Sequence, residues 1–192
     1  MNRIFKISKY FILTITLLTA GTAQAAQSKI GILVFDGFLT SDVTAPVEVF
    51  GAATKKAWFS SYEVIIISTK KNKTVKSEEG LTIVADKTIY DELELDVLIV
   101  PSAYDMSTFI DNPNLINFIK KQNQSASWVA SNCSGAFLLG EAGVLDGKNA
   151  TTWAGGEKDL LKSYPEIKVQ FDQNVVVDQT VLLFQGMILK VQ

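Results

Sequence analysis

The sequence predicts a single α/β domain in which a doubly wound, mostly parallel sheet lies between layers of helices. Three short, near-continuous apolar runs are typical of strands covered on both faces: residues 29–35 (KIGILVF), 62–68 (YEVIIIS) and 96–100 (DVLIV). Segments with helical spacing of apolar residues separate these runs, and such alternation indicates a parallel sheet. No internal repeat, low-complexity stretch or linker indicates a second domain.

The first predicted helix follows the first strand, after a break at Asp36-Gly37. Ser41 or Asp42 can cap this helix, and Pro46 falls in about its first turn, where a missing N–H is tolerated. The other predicted elements are, in chain order, a weaker strand at 81–85, a helix at 114–122, a strand at 127–131, a helix at 136–141 that ends at Gly143, a helix at 157–164, and strands at 168–171 and 175–177.

Composition excludes several classes of function. The 192 residues include 18 basic and 20 acidic side chains, which give a net charge of −2. The chain therefore lacks the excess of basic residues that is typical of proteins that bind nucleic acid. One cysteine cannot form an intramolecular disulfide, and the absence of histidine excludes Ser–His and Cys–His catalytic pairs and His-ligated metal sites. The chain also lacks Gly-rich phosphate loops and metal-ligand clusters. We therefore expect no cofactor and no metal.

The N-terminus has the features of a cleavable signal peptide over residues 1–25. Arg3, Lys6 and Lys9 form a basic segment, a short apolar run covers residues 11–20, and Ala23-Gln24-Ala25 is a small-x-small cleavage site. The apolar run is too short to span a membrane. An ordinary buried first helix is the alternative. We expect cleavage after Ala25, which leaves an exported domain over 26–192 that is periplasmic or secreted and has no membrane association.

Cys133 is placed like a catalytic nucleophile, because a strand stops there and turns sharply into a helix. Such a nucleophile elbow presents its side chain at the top of a sheet, where ligands of parallel α/β proteins bind. Gly135 has no Cβ to obstruct the approach of the helix to the strand. Free N–H groups at a helix start favour a thiolate and can stabilise an oxyanion. Two alternatives remain: Cys133 as a small buried hydrophobe, or as a cysteine that pairs between molecules.

Three segments together resemble a known family. Residues 32–50 (ILVFDGFLTSDVTAPVEVF), 96–101 (DVLIVP) and 131–152 (SNCSGAFLLGEAGVLDGKNATT) are similar to the ThiJ/PfpI superfamily. The similarity extends from about residue 29 to about residue 178 and is closest to the branch of isonitrile hydratases and of sensor-like domains of AraC-type regulators. It implies a flavodoxin-like fold of the class I glutamine-amidotransferase type, and dimerisation, which is common in the superfamily.

The resemblance also assigns the site residues. Cys133 matches the elbow cysteine of the family, and Asp42 matches the acidic residue that hydrogen-bonds that cysteine. Ser134 stands where a Thr or similar residue often follows the cysteine. The usual Pro-Gly-Gly loop, which contributes an oxyanion-hole amide, here contains Ser102 and Ala103 after the proline. Trp153 stands where many relatives have a histidine, and it or its neighbours can line the pocket mouth. A Gly-Gly turn before the next helix explains this last segment equally well.

Asp42 has two interpretations. As an acid next to a helix start it is a common N-cap. By the resemblance it instead faces Cys133, and a carboxylate beside a thiolate is a like-charge pair in which one partner holds a proton. Hydration of an isonitrile needs such a shared proton, because the thiolate attacks the isocyanide carbon while Asp42 supplies and then recovers a proton.

The end of the sequence departs from the family pattern. Relatives continue with a Thr-Ser-Ala-Gly-like segment and a closing helix, whereas residues 180–192 (TVLLFQGMILKVQ) match neither. We expect the closing helix to be missing, through truncation or a frameshift, which would leave apolar sheet surface exposed. A homodimer would cover part of that surface.

Two functions follow from the sequence. The first is a cysteine-dependent hydrolase or hydratase that acts on a small isonitrile- or amide-like molecule. The second is a non-catalytic ligand-binding or thiol-sensing domain that uses the same pocket.

Overall fold

A computed structural model describes residues 27–56 and 61–186. The predicted signal peptide therefore lies outside the described residues. The strands are β1 (Ser28–Val34), β2 (Tyr62–Ser68), β3 (Thr74–Lys76), β4 (Thr82–Val84), β5 (Lys87–Thr88), β6 (Val97–Val100), β7 (Trp128–Asn132), β8 (Asn149–Ala150), β9 (Lys168–Val169), β10 (Val175–Asp178) and β11 (Val181–Phe184). The helices are α1 (Thr40–Lys56), α2 (Ser107–Ile110), α3 (Pro113–Ser125), α4 (Gly135–Glu141) and α5 (Glu157–Ser163).

The central sheet has the predicted doubly wound, mostly parallel arrangement. Its seven strands are ordered β10-β11-β7-β6-β1-β2-β5, and the pairing of β10 with β11 is its antiparallel pair. The three apolar runs of the sequence are β1, β2 and β6, and β1 lies between the other two. Since β6 and β7 are also neighbours, the loops after β1, β6 and β7 meet at one edge of the sheet.

Strand β11 is an element that the sequence reading missed. Residues 180–192 match neither the Thr-Ser-Ala-Gly-like segment nor the closing helix of relatives, and no element is predicted there, yet Val181–Phe184 pairs in parallel with β7, with Phe184 opposite Asn132. The segment is short and uniformly apolar, so its periodicity does not distinguish a strand from a helix. Residues 187–192 lie outside the described part of the chain.

The two faces of the sheet are covered to different degrees. Along β6 and β11, the positions on one face are buried, including Leu98 and Leu183, and these pack with α3 and α4 into the main core. The alternate positions Val97, Ile99 and Leu182 are only partly buried, and Phe184 is 40% exposed. Among the described residues, this face of β6 and β11 is therefore less completely covered than the opposite face.

Two local predictions for the first helix were wrong in detail. Helix α1 begins at Thr40, so Pro46 lies in its second turn and Asp42 is inside the helix rather than at its cap. The predicted strand at 168–171 is present but shorter, as β9, and it pairs with β8 in a separate two-stranded sheet. Among residues 27–56 and 61–186, no helix has the length and apolar character that crossing a membrane requires.

Candidate active site

Cys133 forms the sharp connection between β7 and α4. Its backbone is in the left-handed region, with a φ of 51°, a conformation that costs a non-glycine residue about 1–2 kcal/mol. The amide of Cys133 donates to the carbonyl of Phe184 at 2.8 Å, and its carbonyl accepts from the Thr152 hydroxyl at 2.8 Å. Strand β11 and the segment after β8 thus hold the strained residue from both sides, as in a nucleophile elbow.

Gly135 allows α4 to lie directly against the end of β6. A Cβ at this position would be 2.6 Å from the carbonyl oxygen of Val100 and 2.9 Å from that of Pro101. These are backbone atoms of the sheet edge, so they cannot swing away as a side chain would. The predicted reason for a glycine at this position is confirmed.

Asp42 is held by three hydrogen-bond donors from the neighbouring segments. One carboxylate oxygen accepts from the amide of Ser102 at 2.9 Å and also from the Ser102 hydroxyl, and the other accepts from the side-chain amide of Asn132. Asp42 is 7% exposed, and its partners lie on the loop after β6 and on β7. This is the hydrogen bonding of an ionised carboxylate. The N-cap interpretation of Asp42 is wrong.

Ser134 joins the loop after β6 to the elbow. Its hydroxyl donates to the carbonyl of Ala103 at 2.7 Å and accepts from the amide of Ala103 at 3.2 Å. The amide of Ser102 is likewise engaged, by Asp42. Both amides predicted as oxyanion donors therefore already have acceptors within the protein, and an oxyanion role would require one of these bonds to break.

The surroundings of Cys133 raise the pKa of its thiol. Burial raises its pKa above the ordinary value of 9.0, the amide of Ser134 lowers it by hydrogen bonding, the charge of Asp42 raises it, and the Ser102 hydroxyl lowers it. The raising effects prevail. The expected activation by amides at the helix start is present but is outweighed, because the thiolate would lie in a poorly solvated pocket beside a carboxylate.

A cavity of about 1080 Å³ opens beside Cys133 and Asp42. It runs along the partly covered face of the sheet, between α1 and the strands, and Ile99, Leu182 and Phe184 form its sheet side. Pro46 and Phe50 line it from α1. The thiol and the carboxylate thus lie at one end of a mainly apolar groove, a common form of small-molecule site.

Trp153 does not line this cavity. Its ring stacks on Phe137 with a centroid distance of 5.2 Å, and Gly156 lies so close that a Cβ there would be 2.2 Å from the indole. Trp153 therefore packs against α4, whereas the next residue, Ala154, reaches the cavity. The expectation that this segment lines the pocket is met by Ala154 but was wrong for Trp153 itself, and the alternative Gly-Gly turn before α5 is present as well.

Two groups of site residues were not identified from the sequence. No role is predicted for Asn132 from the sequence, although a polar residue at a strand end beside a cysteine is a recognisable signal. Gly186 lies against the nucleophile, since a Cβ there would be 2.9 Å from the Cβ of Cys133. Gln185 precedes it and donates to the buried carboxylate of Glu157 at 3.2 Å. The contacts of Gly186 and Gln185 join residues that are far apart in the sequence, so no local sequence pattern predicts them.

The fold and the site together define a class: an α/β protein whose buried cysteine lies at a nucleophile elbow, with a helix-borne aspartate held beside it. Comparison with known proteins agrees with this description. The model of the DJ-1/PfpI family matches residues 28–186, and this chain belongs to that family. The resemblance drawn from the sequence motifs is therefore confirmed, and the matched region extends beyond residue 178 to include β11.

Curated relatives carry different names. The isonitrile hydratase of Pseudomonas putida is 32% identical over 143 residues, which are 74% of this chain and 59% of that protein. Protein/nucleic acid deglycase 2 of Escherichia coli is 30% identical over 162 residues, which are 82% of this chain and 87% of that protein. Both are similar enough to share the family, but they do not share one name for the reaction.

Solved structures support the fold. A ThiJ/PfpI family protein from Pseudomonas syringae superposes with a TM-score of 0.72 at 24% identity and covers 84% of this chain and 63% of the other. A putative transcriptional regulator from Vibrio parahaemolyticus superposes with a TM-score of 0.74 at 19% identity and covers 84% of this chain and 85% of the other. The predicted flavodoxin-like architecture is thus confirmed.

Proposed function

We propose that this protein is an exported cysteine-dependent hydratase or hydrolase that acts on a small molecule with an electrophilic carbon and an apolar substituent. The observation that carries the proposal is the placement of Cys133 and the triply hydrogen-bonded Asp42 at one end of an apolar groove. The nucleophile supplies covalent catalysis, and the carboxylate supplies the base that the histidine-free chain otherwise lacks.

An isonitrile is the substrate class for which the chemistry balances most simply. Asp42 accepts the thiol proton, the sulfur adds to the isocyanide carbon, and the proton returns to that carbon, which gives a thioimidate. Water then adds to the thioimidate carbon, the C–S bond breaks, and the products are a formamide and the regenerated thiol. No oxidant, metal or cofactor takes part in this sequence.

The groove favours a substrate with an apolar substituent over a minimal one. Its walls bear aliphatic and aromatic side chains from α1 and from β6, β7 and β11, which gain from removing apolar surface from water. A benzyl isonitrile should therefore be hydrated with a higher kcat/KM than methyl isonitrile, because the benzyl group has more apolar surface to bury against these walls.

Proton NMR of formamide production tests the proposal. We expect wild type to convert benzyl isonitrile and C133S to be inactive. Turnover of an amide but not of an isonitrile would assign hydrolysis instead. If calorimetry shows saturable binding of the isonitrile and of the amide but neither is turned over, the protein would be the alternative, a ligand-binding domain.

Thiol sensing is the less favoured form of that alternative. Redox-sensing cysteines are readily ionised, whereas burial raises the pKa of the Cys133 thiol. Reversible oxidation of Cys133 by stoichiometric peroxide, faster than that of free cysteine, would contradict this preference.

Export is the part of the proposal that concerns location, and it rests on residues 1–25 alone. N-terminal sequencing of protein recovered from the periplasm or the medium should begin at Ala26. Soluble cytoplasmic protein that retains Met1 would contradict it.

A further inference from the structure

Glu157 is a buried carboxylate that takes no part in the proposed hydration. It is the first residue of α5 and is 5% exposed. One of its oxygens accepts from the amide of Gly155 at 2.7 Å, and the other accepts from the side-chain amide of Gln185 at 3.2 Å. No lysine or arginine within residues 27–56 and 61–186 forms an ion pair with it. Two neutral N–H donors therefore satisfy a group that is costly to bury.

The two donors belong to the two segments that hold the backbone of Cys133. The first segment, residues 152–155, begins with Thr152, whose hydroxyl donates to the carbonyl of Cys133 at 2.8 Å. The second segment, residues 184–186, begins with Phe184, whose carbonyl accepts from the amide of Cys133 at 2.8 Å. The carboxylate is thus bonded to both supports of the elbow.

We infer that Glu157 is a positioning residue for the nucleophile, because its carboxylate ties the 152–155 segment to the 184–186 segment across the elbow. The elbow needs such a brace, since a left-handed backbone at a non-glycine residue persists only where the surrounding structure holds it. The second segment also contacts the side chain of Cys133, because a Cβ at Gly186 would lie 2.9 Å from its Cβ and 3.4 Å from its sulfur. Attack on a substrate carbon requires a sulfur that is held in one place.

A general role in the stability of α5 is the alternative explanation for Glu157. Its bond with Gly155 is local and by itself would serve only the turn that leads into the helix. The bond with Gln185 joins residues 28 positions apart and supports nothing within α5. The two explanations differ in what happens to the thiol when this second bond is lost while the domain stays folded.

Iodoacetamide alkylation of Cys133 tests the brace without any substrate. E157A removes both hydrogen bonds, and Q185A removes only the bond that crosses the fold. We expect both variants to be alkylated about fivefold faster than wild type at pH 8, the equivalent of one lost hydrogen bond. The reason is that a looser elbow leaves the thiol less buried, and burial is the main cause that raises its pKa. E157Q should stay close to the wild-type rate, since its carboxamide can accept from Gly155 and donate to the oxygen of a rotated Gln185 carboxamide.

Asp159→Ala is the matched control, because Asp159 is the other acid in the first turn of α5 and is exposed. It removes the same charge from the same helix and should leave the alkylation rate unchanged. A series at low urea separates local opening from global unfolding. Alkylation through a loosened elbow is insensitive to urea below the unfolding transition, whereas alkylation through the unfolded state rises with urea. We expect the faster alkylation of E157A and Q185A to be insensitive.

Three results would overturn the inference. Wild-type rates for E157A and Q185A would show that the elbow does not depend on the carboxylate. Equal acceleration in Asp159→Ala would assign the effect to charge, and acceleration that rises steeply with urea would assign it to the stability of the domain. If E157A does not fold, Q185A decides among the same results.

The link to catalysis rests on the proposed function. Glu157 does not line the described cavity, so E157A should lower kcat for benzyl isonitrile while KM changes little, because alignment is lost and substrate binding is kept. An unchanged kcat despite faster alkylation would overturn the positioning role. Absence of turnover in wild type would instead refute the proposed function, and the alkylation rates would still decide whether Glu157 braces the elbow.

Discussion

Replacement of Gly135 by alanine should destabilise the fold although it favours the helix. The new Cβ would lie 2.6 Å from the Val100 oxygen, about 0.8 Å closer than the 3.4 Å at which ordinary contact begins. Overpacking against atoms that cannot move aside costs about 1–3 kcal/mol, and the lower backbone entropy of alanine offsets about 0.4–1 kcal/mol of that. We expect a net loss of about 1–2 kcal/mol in the free energy of unfolding.

Gly51→Ala is the matched control, because Gly51 lies inside α1 with no atom within 4 Å of its Cβ position. That variant should gain about 0.5–1 kcal/mol. Urea unfolding of both variants, followed by circular dichroism, gives the two midpoints and slopes. If Gly135→Ala unfolds at the wild-type midpoint or above it, α4 does not pack against the end of β6 as described. Slower alkylation of Cys133 in Gly135→Ala would further link that packing to the site.

Three other perturbations have expected outcomes. D42N should lower the pKa of the Cys133 thiol, because it removes the carboxylate charge that raises it; an unchanged alkylation profile across pH would show that the charge does not reach the thiol. S134A should cost about 1–3 kcal/mol, since it leaves the amide and the carbonyl of Ala103 unpaired, and equal urea midpoints for S134A and Ser131→Ala, which removes a buried hydroxyl without a partner among the described residues, would contradict this. The folded protein raises the pKa of the Cys133 thiol above its ordinary value of 9.0, and the stabilisation that this contributes is fully present below pH 9.0 and is lost as pH rises toward the folded pKa. Wild type should therefore lose stability relative to C133S above pH 9. Parallel plots of the free energy of unfolding against pH for the two proteins would refute this.

The sequence alone predicts the central sheet well because its strands carry strong local signals. Strands β1, β2 and β6 are β-branched, continuous and bounded by turn residues, and the elbow joins a strand to a helix through a cysteine and a glycine. β11 is harder to recognise, since four apolar residues suit either a strand or a helix, and its place beside β7 is decided by long-range pairing.

The site is predictable only to the level of residue types. Motif resemblance singles out Cys133 and Asp42, but the partners of Asp42 come from the loop after β6 and from β7, about 60 and 90 positions away. Trp153 shows the opposite error, because its position in the motif indicated the pocket while its size fitted it against Phe137. Homodimer formation stays a prediction.

The hydrogen bond from the amide of Cys133 to Phe184 has a consequence for how the thiol centre assembles. The centre draws on α1, the loop after β6, the elbow and the end of β11, so it spans most of the described chain. Because β11 enters the sheet beside β7, an intermediate that lacks this strand leaves the Cys133 amide without its acceptor. Hydrogen exchange at that amide therefore reports the docking of β11. The strained elbow should take its final shape only when that strand is in place, so the thiol centre cannot be complete before β11 docks.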